Sequence, residues 1–450
     1  MANLLITNAL IVPMTEPATV FSGDLRLRDG VITTVHAGAA QQARLVEQTI
    51  DASGCVLMPG LVNAHTHLYQ VLLRAVWEDL ALMPWLQRIY GCARVLTPAH
   101  FYTGSLLGCA EAIRGGVTTL CEHNFLNPSP ECAFETLRAI QASGLRAVFA
   151  RTIMDSGEIV PECTKEKPDQ AFRHIEALIA RHKEASQLTF MTGPNTPPIN
   201  TTPDLLREVR RFADDKAIGI SAHVAESKSV LESVRRQHGK NGVVEYLNEF
   251  GLAASNSIFA HSVHVSQDEI QILQETGTSV SHNPVSNMML GDGVAPVVEM
   301  LRQGVNVALG TDGAASNHSQ DLFDTMKAAS LLQKVHHQNA GIIDPYSVLR
   351  MATVGGAKAL GLGEVCGTIE VGKRADLILL NMDAVHNQPM NNIYSQIVHC
   401  AKASDVQTVI VNGEILMRDR KLVRLDERKI LADAKAANYD LMERVGRLTF

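Results

Sequence analysis

Several things are scarce in this 450-residue chain, and each scarcity narrows its function. No apolar run approaches the roughly 18 residues of a membrane-spanning helix, so none is expected. Basic residues are not in excess. The 40 Lys and Arg face 47 Asp and Glu, for a net charge of −7. That balance argues against a nucleic-acid partner or an anionic membrane surface, both of which require clustered cations. The eight cysteines (Cys55, Cys92, Cys109, Cys121, Cys132, Cys163, Cys366 and Cys400) form no CxxC pair and no regular spacing. A thiolate metal site is therefore not expected, and the pattern fits reduced, buried thiols in the cytoplasm. The opening "MANLLITNALIVPM" lacks a basic leader and a small-residue cleavage site, and reads as a strand rather than a signal peptide. What remains is 46% hydrophobic and 19% charged. That is a globular composition, with length for a large barrel and a smaller domain.

The two ends of the chain carry strand patterns. "DLRLRDGVITTV" alternates Leu25 and Leu27 with Arg26 and Arg28, then turns at Asp29-Gly30, a pair that tolerates the positive φ of a tight hairpin. "GTIEVGKRADLILL" and "VQTVIVNGEILM" read the same way, with a turn at Asn412-Gly413. Neither end has enough strands to stand alone. Residues 1–57 and 363–425 are therefore expected to form one composite β-domain, a small sandwich. Residues 426–450 are read as a terminal helical segment.

Between them, over 58–362, eight short apolar runs alternate with amphipathic segments such as "TPDLLREVRRFADDK" and "SQDEIQILQETG". The runs are "VLMPGLVNAHTH", "VTTLCEHN", "RAVFAR", "LTFMTGPN", "AIGISAH", "SIFAH", "TSVSHN" and "VNVALGTD". Eight strands alternating with helices predict an α/β protein with a TIM-like (β/α)₈ barrel. Seven runs end in His, Asn or Asp and one in Arg. Strand C-termini form the active-site face of this fold, so the polar ends gather at one mouth.

"LVNAHTHLYQ" places His65 and His67 two residues apart, on one face of a strand. The other run ends add His223, His261 and Asp312, with Glu226 three residues after His223. Taken singly, His223 or His261 is an ordinary rim histidine, Asp312 a turn residue and Glu226 a helix-start carboxylate. Their joint placement at one end of separate strands favours a nitrogen/oxygen site suited to Zn²⁺ or Fe²⁺ with room for water.

Six stretches give these residues a family likeness: "PGLVNAHTH", "HVAES", "FAHSVH", "SHNPVSNMMLGDGVAPV", "GTDGAASN" and "GTIEVGKRADLILL". Together they resemble the amidohydrolase superfamily, in its branch of adenosine-type and guanine-type deaminases and triazine hydrolases. The likeness runs from the first barrel strand to about residue 420. It implies His65, His67, His223 and Asp312 as metal ligands, with Glu226 and His261 acting on substrate and water. Relatives with two metals carry a lysine at the end of strand 4. "LTFMTGPN" has none, which implies a single divalent ion, Zn²⁺ ahead of Fe²⁺. The implied reaction is hydrolytic deamination of an amino-substituted nitrogen heterocycle. Asp312 takes the water's proton, Glu226 protonates a ring nitrogen, and His261 orients the attacking oxygen. The same machinery in an s-triazine hydrolase expels chloride or an alkylamine. A barrel that kept the fold and lost the chemistry is the non-enzymatic alternative, and it predicts missing ligands.

Two positions depart from S-adenosylhomocysteine and methylthioadenosine deaminases, which the chain otherwise resembles. Pro84 in "LALMPWLQR" replaces an acidic residue, and Asn195 in "GPN" replaces a histidine. Both are ribose-contact positions in those enzymes, so a free base is expected ahead of a nucleoside. "HLYQVLLRAV" resembles 8-oxoguanine and pterin deaminases, which implies that Gln70 reads a ring carbonyl; a solvent-facing helix start is its other reading. Trp85, one of only two tryptophans, is either a wall for the ring or a core anchor. The polar stretch 155–170 reads as a long loop over the site. Family members are often dimers or tetramers, which implies a homo-oligomer.

Overall fold

The structure, a computed structural model, describes residues 3–15, 19–38 and 48–449. Parts of the composite β-domain expected over 1–57, at 1–2, 16–18 and 39–47, lie outside the described residues, as does residue 450 of the terminal segment.

Eight parallel strands form the central sheet in chain order: β1 (Leu61–Thr66), β2 (Val117–Asn124), β3 (Arg146–Ile153), β4 (Leu188–Pro194), β5 (Gly219–Val224), β6 (Ser257–His261), β7 (Ser279–His282) and β8 (Val307–Leu309). The seam between β8 and β1 is bridged just beyond β8. The Asp312 N–H donates to the His65 carbonyl at 2.9 Å, and the Thr311 N–H to Asn63 Oδ1 at 3.0 Å. Closing the barrel and placing Asp312 beside His65 are thus one event. The run expected to end as strand 8 leaves the ladder at Leu309, and Asp312 follows in a turn with φ +62°.

The helices between strands form where the apolar period and the end signals agree. Pro203–Lys216 starts at Thr202, whose hydroxyl accepts the Leu205 N–H at 3.3 Å, and buries Leu205, Leu206, Val209 and Ala213. Gln267–Thr276 carries a reciprocal Ser266/Glu269 capping box and stops at Gly277 with φ +71°. The terminal helix Glu427–Val445 packs against Pro98–Arg114 and donates from Asn438 Nδ2 to the Leu72 carbonyl at 2.8 Å. Among the described residues no helix is long and apolar enough to cross a membrane.

Both chain ends enter one continuous mixed sheet of nine strands rather than two separate layers. Cys55–Pro59 pairs antiparallel with Leu377–Asn381 and joins the N-terminal strands to the C-terminal ones. The outer sheet therefore extends past the expected boundary at 57 to Pro59, and Gly60 separates it from β1. The sheet curls around its own apolar cluster, in which Leu25 and Ile32 meet Leu377 and Ile410. Its two tight turns touch. Asn412-Gly413 has φ of +51° and +77°, and Asp29-Gly30 has +51° and +80°. A Cβ on Gly413 would lie 2.6 Å from the Gly30 backbone, so glycine is required where the hairpin tips cross.

The barrel's lower rim is tied to this sheet by a buried ion pair. Arg146 at the start of β3 donates from Nε to Asp376 at 2.6 Å and from a terminal nitrogen at 3.1 Å, while Asp376 also accepts the Asn412 N–H at 2.7 Å. Both side chains are almost fully buried. Asp376→Ala strands the Arg146 charge, and the expected loss is about 3–5 kcal/mol in the first urea unfolding transition. A loss below about 1 kcal/mol, the range of an exposed pair, would show that the contact does not brace the two sheets.

Candidate metal and catalytic site

The barrel mouth gathers the strand-end residues in a buried cluster. One donor atom each from His65, His67, His223 and Asp312 lies within 4.8 Å of the others, and Glu226, His261 and Asp312 form an overlapping group. The ring orientations show what the first group can hold. His67 Nδ1 faces the His123 carbonyl at 2.7 Å, and His223 Nδ1 faces the Asn195 carbonyl at 3.1 Å. A carbonyl only accepts, so each Nδ1 carries the hydrogen, and each ring in its neutral form presents an Nε2 lone pair. Those two Nε2 atoms sit 3.3 Å apart. His65 Nε2 is buried with no hydrogen-bond partner. Asp312 Oδ1 stands 3.2 Å from His67 Nε2 and 3.5 Å from His65 Nε2. Three inward imidazole nitrogens and one carboxylate oxygen fit a divalent cation.

Burial lowers His67, but its contacts with Asp312 outweigh burial and raise it above its ordinary value. Burial pushes His65 down to about 4, and burial together with neighbouring imidazoles holds His223 well below its ordinary value. Burial alone would raise Asp312, but contacts from His65 and His67 outweigh it and keep the group well below the usual carboxylate range. Asp312 is further fixed by Ser286 Oγ at 2.6 Å, Ser316 Oγ at 3.2 Å and the Gly313 N–H at 2.7 Å.

Glu226 follows β5 after Ala225, whose φ of +49° turns the chain at the strand end. It is buried, and burial reinforced by Asp292 and Asp312 raises its carboxyl well above the usual range. His261 Nε2 lies 3.6 Å from Glu226 Oε1 and 4.0 Å from Asp312 Oδ2, and its Nδ1 is 3.1 Å from Asn287 Oδ1. The result is a carboxyl pushed toward its acid form, a carboxylate held toward its anion and an oriented imidazole around one point.

A narrow cavity opens beside this cluster, walled by Leu82, Trp85, Leu86, Tyr90 and Phe125. Gln70 also lines it, fully buried, with both amide atoms lacking a hydrogen-bond partner of normal geometry. The solvent-facing alternative for Gln70 is therefore ruled out. Gly313 makes room for it, since a Cβ there would lie 1.8 Å from Gln70 Oε1. Trp85 is both wall and anchor, as its indole N–H donates to the Ala315 carbonyl at 3.3 Å. Asn195 lines the cavity with its side chain engaged by protein. Oδ1 is 3.2 Å from His123 Nε2, and Nδ2 donates to the Tyr90 hydroxyl at 3.1 Å. Pro84 is exposed. The 155–170 loop is tethered to the scaffold: Asp155 accepts the Thr202 N–H at 2.8 Å, and both Glu166 oxygens lie 2.7 Å from Arg151.

Sequence reasoning passed over His123, whose carbonyl orients His67 and whose ring lies 4.3 Å from that of His223. The rule that selected the other histidines, a polar residue at a strand end, also covers "CEHN". It passed over Ser286, Asn287 and Tyr90 as well. These act through contacts between distant segments, and no local spacing announces them.

The chain matches the amidohydrolase family profile over residues 56–416. It is 38% identical to a 5'-deoxyadenosine deaminase of Methanosarcina mazei, covering 99% of this chain and 100% of that protein. It is 37% identical to a 5-methylthioadenosine/S-adenosylhomocysteine deaminase of Syntrophomonas wolfei, covering 96% and 97%. Among solved structures it resembles a zinc-bound adenosine deaminase from Xanthomonas campestris, with a TM-score of 0.90, 30% identity and 99% of both chains covered. An atrazine chlorohydrolase from Arthrobacter aurescens shares the fold, with a TM-score of 0.89, 24% identity and coverage of 97% and 100%.

Ser286→Ala removes the shortest hydrogen bond to Asp312, and metal affinity is expected to fall by roughly 10–100-fold in a chelator competition. Unchanged affinity would mean that Asp312 is oriented without it.

Proposed function

The chain belongs to the amidohydrolase family, and on that premise we propose that it is a metal-dependent hydrolytic deaminase of a 6-aminopurine nucleoside, with 5'-deoxyadenosine as the first substrate to try. The observation that carries the reading is the pair of facing Nε2 atoms of His67 and His223, set beside a buried Glu226 whose carboxyl is raised well above the usual range. Relatives named for 5'-deoxyadenosine and methylthioadenosine, matched almost end to end, move the substrate from the free base expected at Pro84 and Asn195 toward a nucleoside. A free base or pterin is the second reading, favoured by the unpartnered amide of Gln70. Triazine hydrolysis has only a shared fold behind it.

His65, His67, His223 and Asp312 would hold one divalent ion, Zn²⁺ foremost and Fe²⁺ second, and that ion supplies Lewis-acid activation of a water. The protein's own groups do the rest. Glu226 delivers its proton to the ring nitrogen next to the amino-bearing carbon, which makes that carbon electrophilic. His261, held through Nδ1 by Asn287, aims Nε2 at the attacking oxygen and stabilises charge on the tetrahedral intermediate. Asp312, already anionic, accepts the water's proton and passes it to the leaving amine. A carbon–oxygen bond forms, the carbon–nitrogen bond breaks, ammonia leaves, and the hydroxyl proton of the intermediate returns to Glu226 as the carbonyl forms. Trp85 and Phe125 give the flat ring apolar walls.

A cytoplasmic homo-oligomer is proposed alongside. Eight free cysteines, five of them buried, support the compartment. An exposed apolar patch of Met288, Met289, Leu331 and Val335 supports the association.

Glu226→Gln is expected to lower kcat/KM by roughly 10²–10⁴-fold while the protein keeps its metal, read by ammonia release and elemental analysis. Retained activity would take Glu226 out of the acid role. In the wild type, a proton donor with a raised pKa predicts that the rate falls as pH climbs through that value. An alkaline-limb decline that persists in the residual activity of Glu226→Gln would assign the limb to another group. A panel of 5'-deoxyadenosine, methylthioadenosine, S-adenosylhomocysteine, 8-oxoguanine, pterin and aminotriazines tests the substrate. Release from free bases alone would overturn the nucleoside assignment.

A further inference from the structure

Tyr90 lines the cavity beside the histidine and aspartate cluster. It lies on the helix Leu82–Gly91, which turns Leu82, Trp85, Leu86 and Tyr90 toward the site. The residue is fully buried, and burial raises its phenol well above the ordinary value, so it stays neutral. A phenol oxygen has two lone-pair positions and one proton to donate. Asn200 Nδ2 donates to it at 2.9 Å, and that amide is fixed in orientation because its Oδ1 accepts the Thr196 N–H at 2.9 Å. Asn195 Nδ2 donates to it at 3.1 Å, while Asn195 Oδ1 faces His123 Nε2. Two amide donors thus face the oxygen, and an N–H cannot accept the phenol's proton. The proton is left to the cavity or to the Thr196 side chain, which lines it.

We propose that Tyr90 is a specificity-determining residue that donates a hydrogen bond to a ring nitrogen of the bound heterocycle, a different nitrogen from the one Glu226 protonates. The ligand class is accordingly a fused heterocycle with a second in-plane acceptor nitrogen, such as N3 or N7 of a purine. A site built to donate to a particular acceptor discriminates against analogues that lack it. This deepens the deaminase reading and takes from it only the identity of the heterocycle. It also accounts for Asn195, which acts on the substrate through Tyr90.

The experiment measures binding without turnover. Zinc-loaded Glu226→Gln protein, with and without Tyr90→Phe, is titrated calorimetrically with 5'-deoxyadenosine and its 3-deaza and 7-deaza analogues. With Tyr90 present, one analogue is expected to bind about 10-fold more weakly than the parent. With Phe at 90, parent and that analogue bind alike, both at the weaker level. Asn200→Asp, which turns a donor into an acceptor for the Tyr90 proton, weakens the parent in the same way with the phenol ring kept, and covers the case in which Tyr90→Phe does not fold. Penalties that stay the same in both proteins overturn the proposal, the result expected if Asn195 in the opposite amide orientation or Thr196 takes the proton. Failure of all three ligands to bind overturns it too. Wild-type ammonia release with unchanged penalties leaves the deaminase reading standing and Tyr90 refuted. The expected binding pattern without ammonia release does the reverse.

Discussion

Two imidazole nitrogens that face one another across 3.3 Å, each ring fixed through its other nitrogen by a backbone carbonyl, leave a place suited to a cation. Much of the barrel mouth is arranged to keep His67 and His223 in that position. The His123 carbonyl fixes one ring and the Asn195 carbonyl the other, so the ends of β2 and β4 orient the imidazoles at the ends of β1 and β5. Burial and the neighbouring imidazoles hold His223 well below its ordinary value. The anionic Asp312 completes the set, and the backbone bond that brings it to His65 also closes the barrel seam.

Around that centre, the two carboxyl groups have opposite protonation states for different reasons. Asp312 is surrounded by donors and stays ionised. Glu226 is buried, sees Asp292 and Asp312, and is pushed toward its protonated form. Environments that push two carboxyls apart divide acid from base. Both groups sit on turns with positive φ, at Ala225 and at Asp312 itself, and such backbone strain persists where function requires it. The opposite rim of the barrel does different work, with the buried Arg146–Asp376 pair tying the catalytic sheet to the outer one.

Much of this is legible in the sequence because the barrel converts order along the chain into position in space. A polar residue ending an apolar strand must arrive at the mouth, which is how His65, His67, His223 and His261 could be grouped across roughly 200 residues of separation. The tight turns at Asp29-Gly30 and Asn412-Gly413 were equally legible, because few residue pairs accept positive φ in succession. The curl of the outer sheet was not, since strand patterns fix pairing propensity but not whether a sheet folds back on itself. Nor were the contacts that orient the site. Ser286 reaches Asp312, and Tyr90 reaches Asn195 and Asn200, across gaps that follow no period. Asn195 shows the difference well: its place at a strand end was readable, but its engagement by His123 and Tyr90 depends on three elements meeting.

In the proposed reaction a cation in this cluster and a proton on Glu226 together turn water against an amino-bearing ring carbon. The most direct measurement runs the metal-loaded and the chelator-treated protein with 5'-deoxyadenosine in isotopically labelled water, following ammonia and the mass of the product. One ammonia per nucleoside consumed and one labelled oxygen on the ring are expected, only with metal present. Undiminished turnover in the chelated protein, or no ammonia from any aminated heterocycle with metal bound, would contradict it.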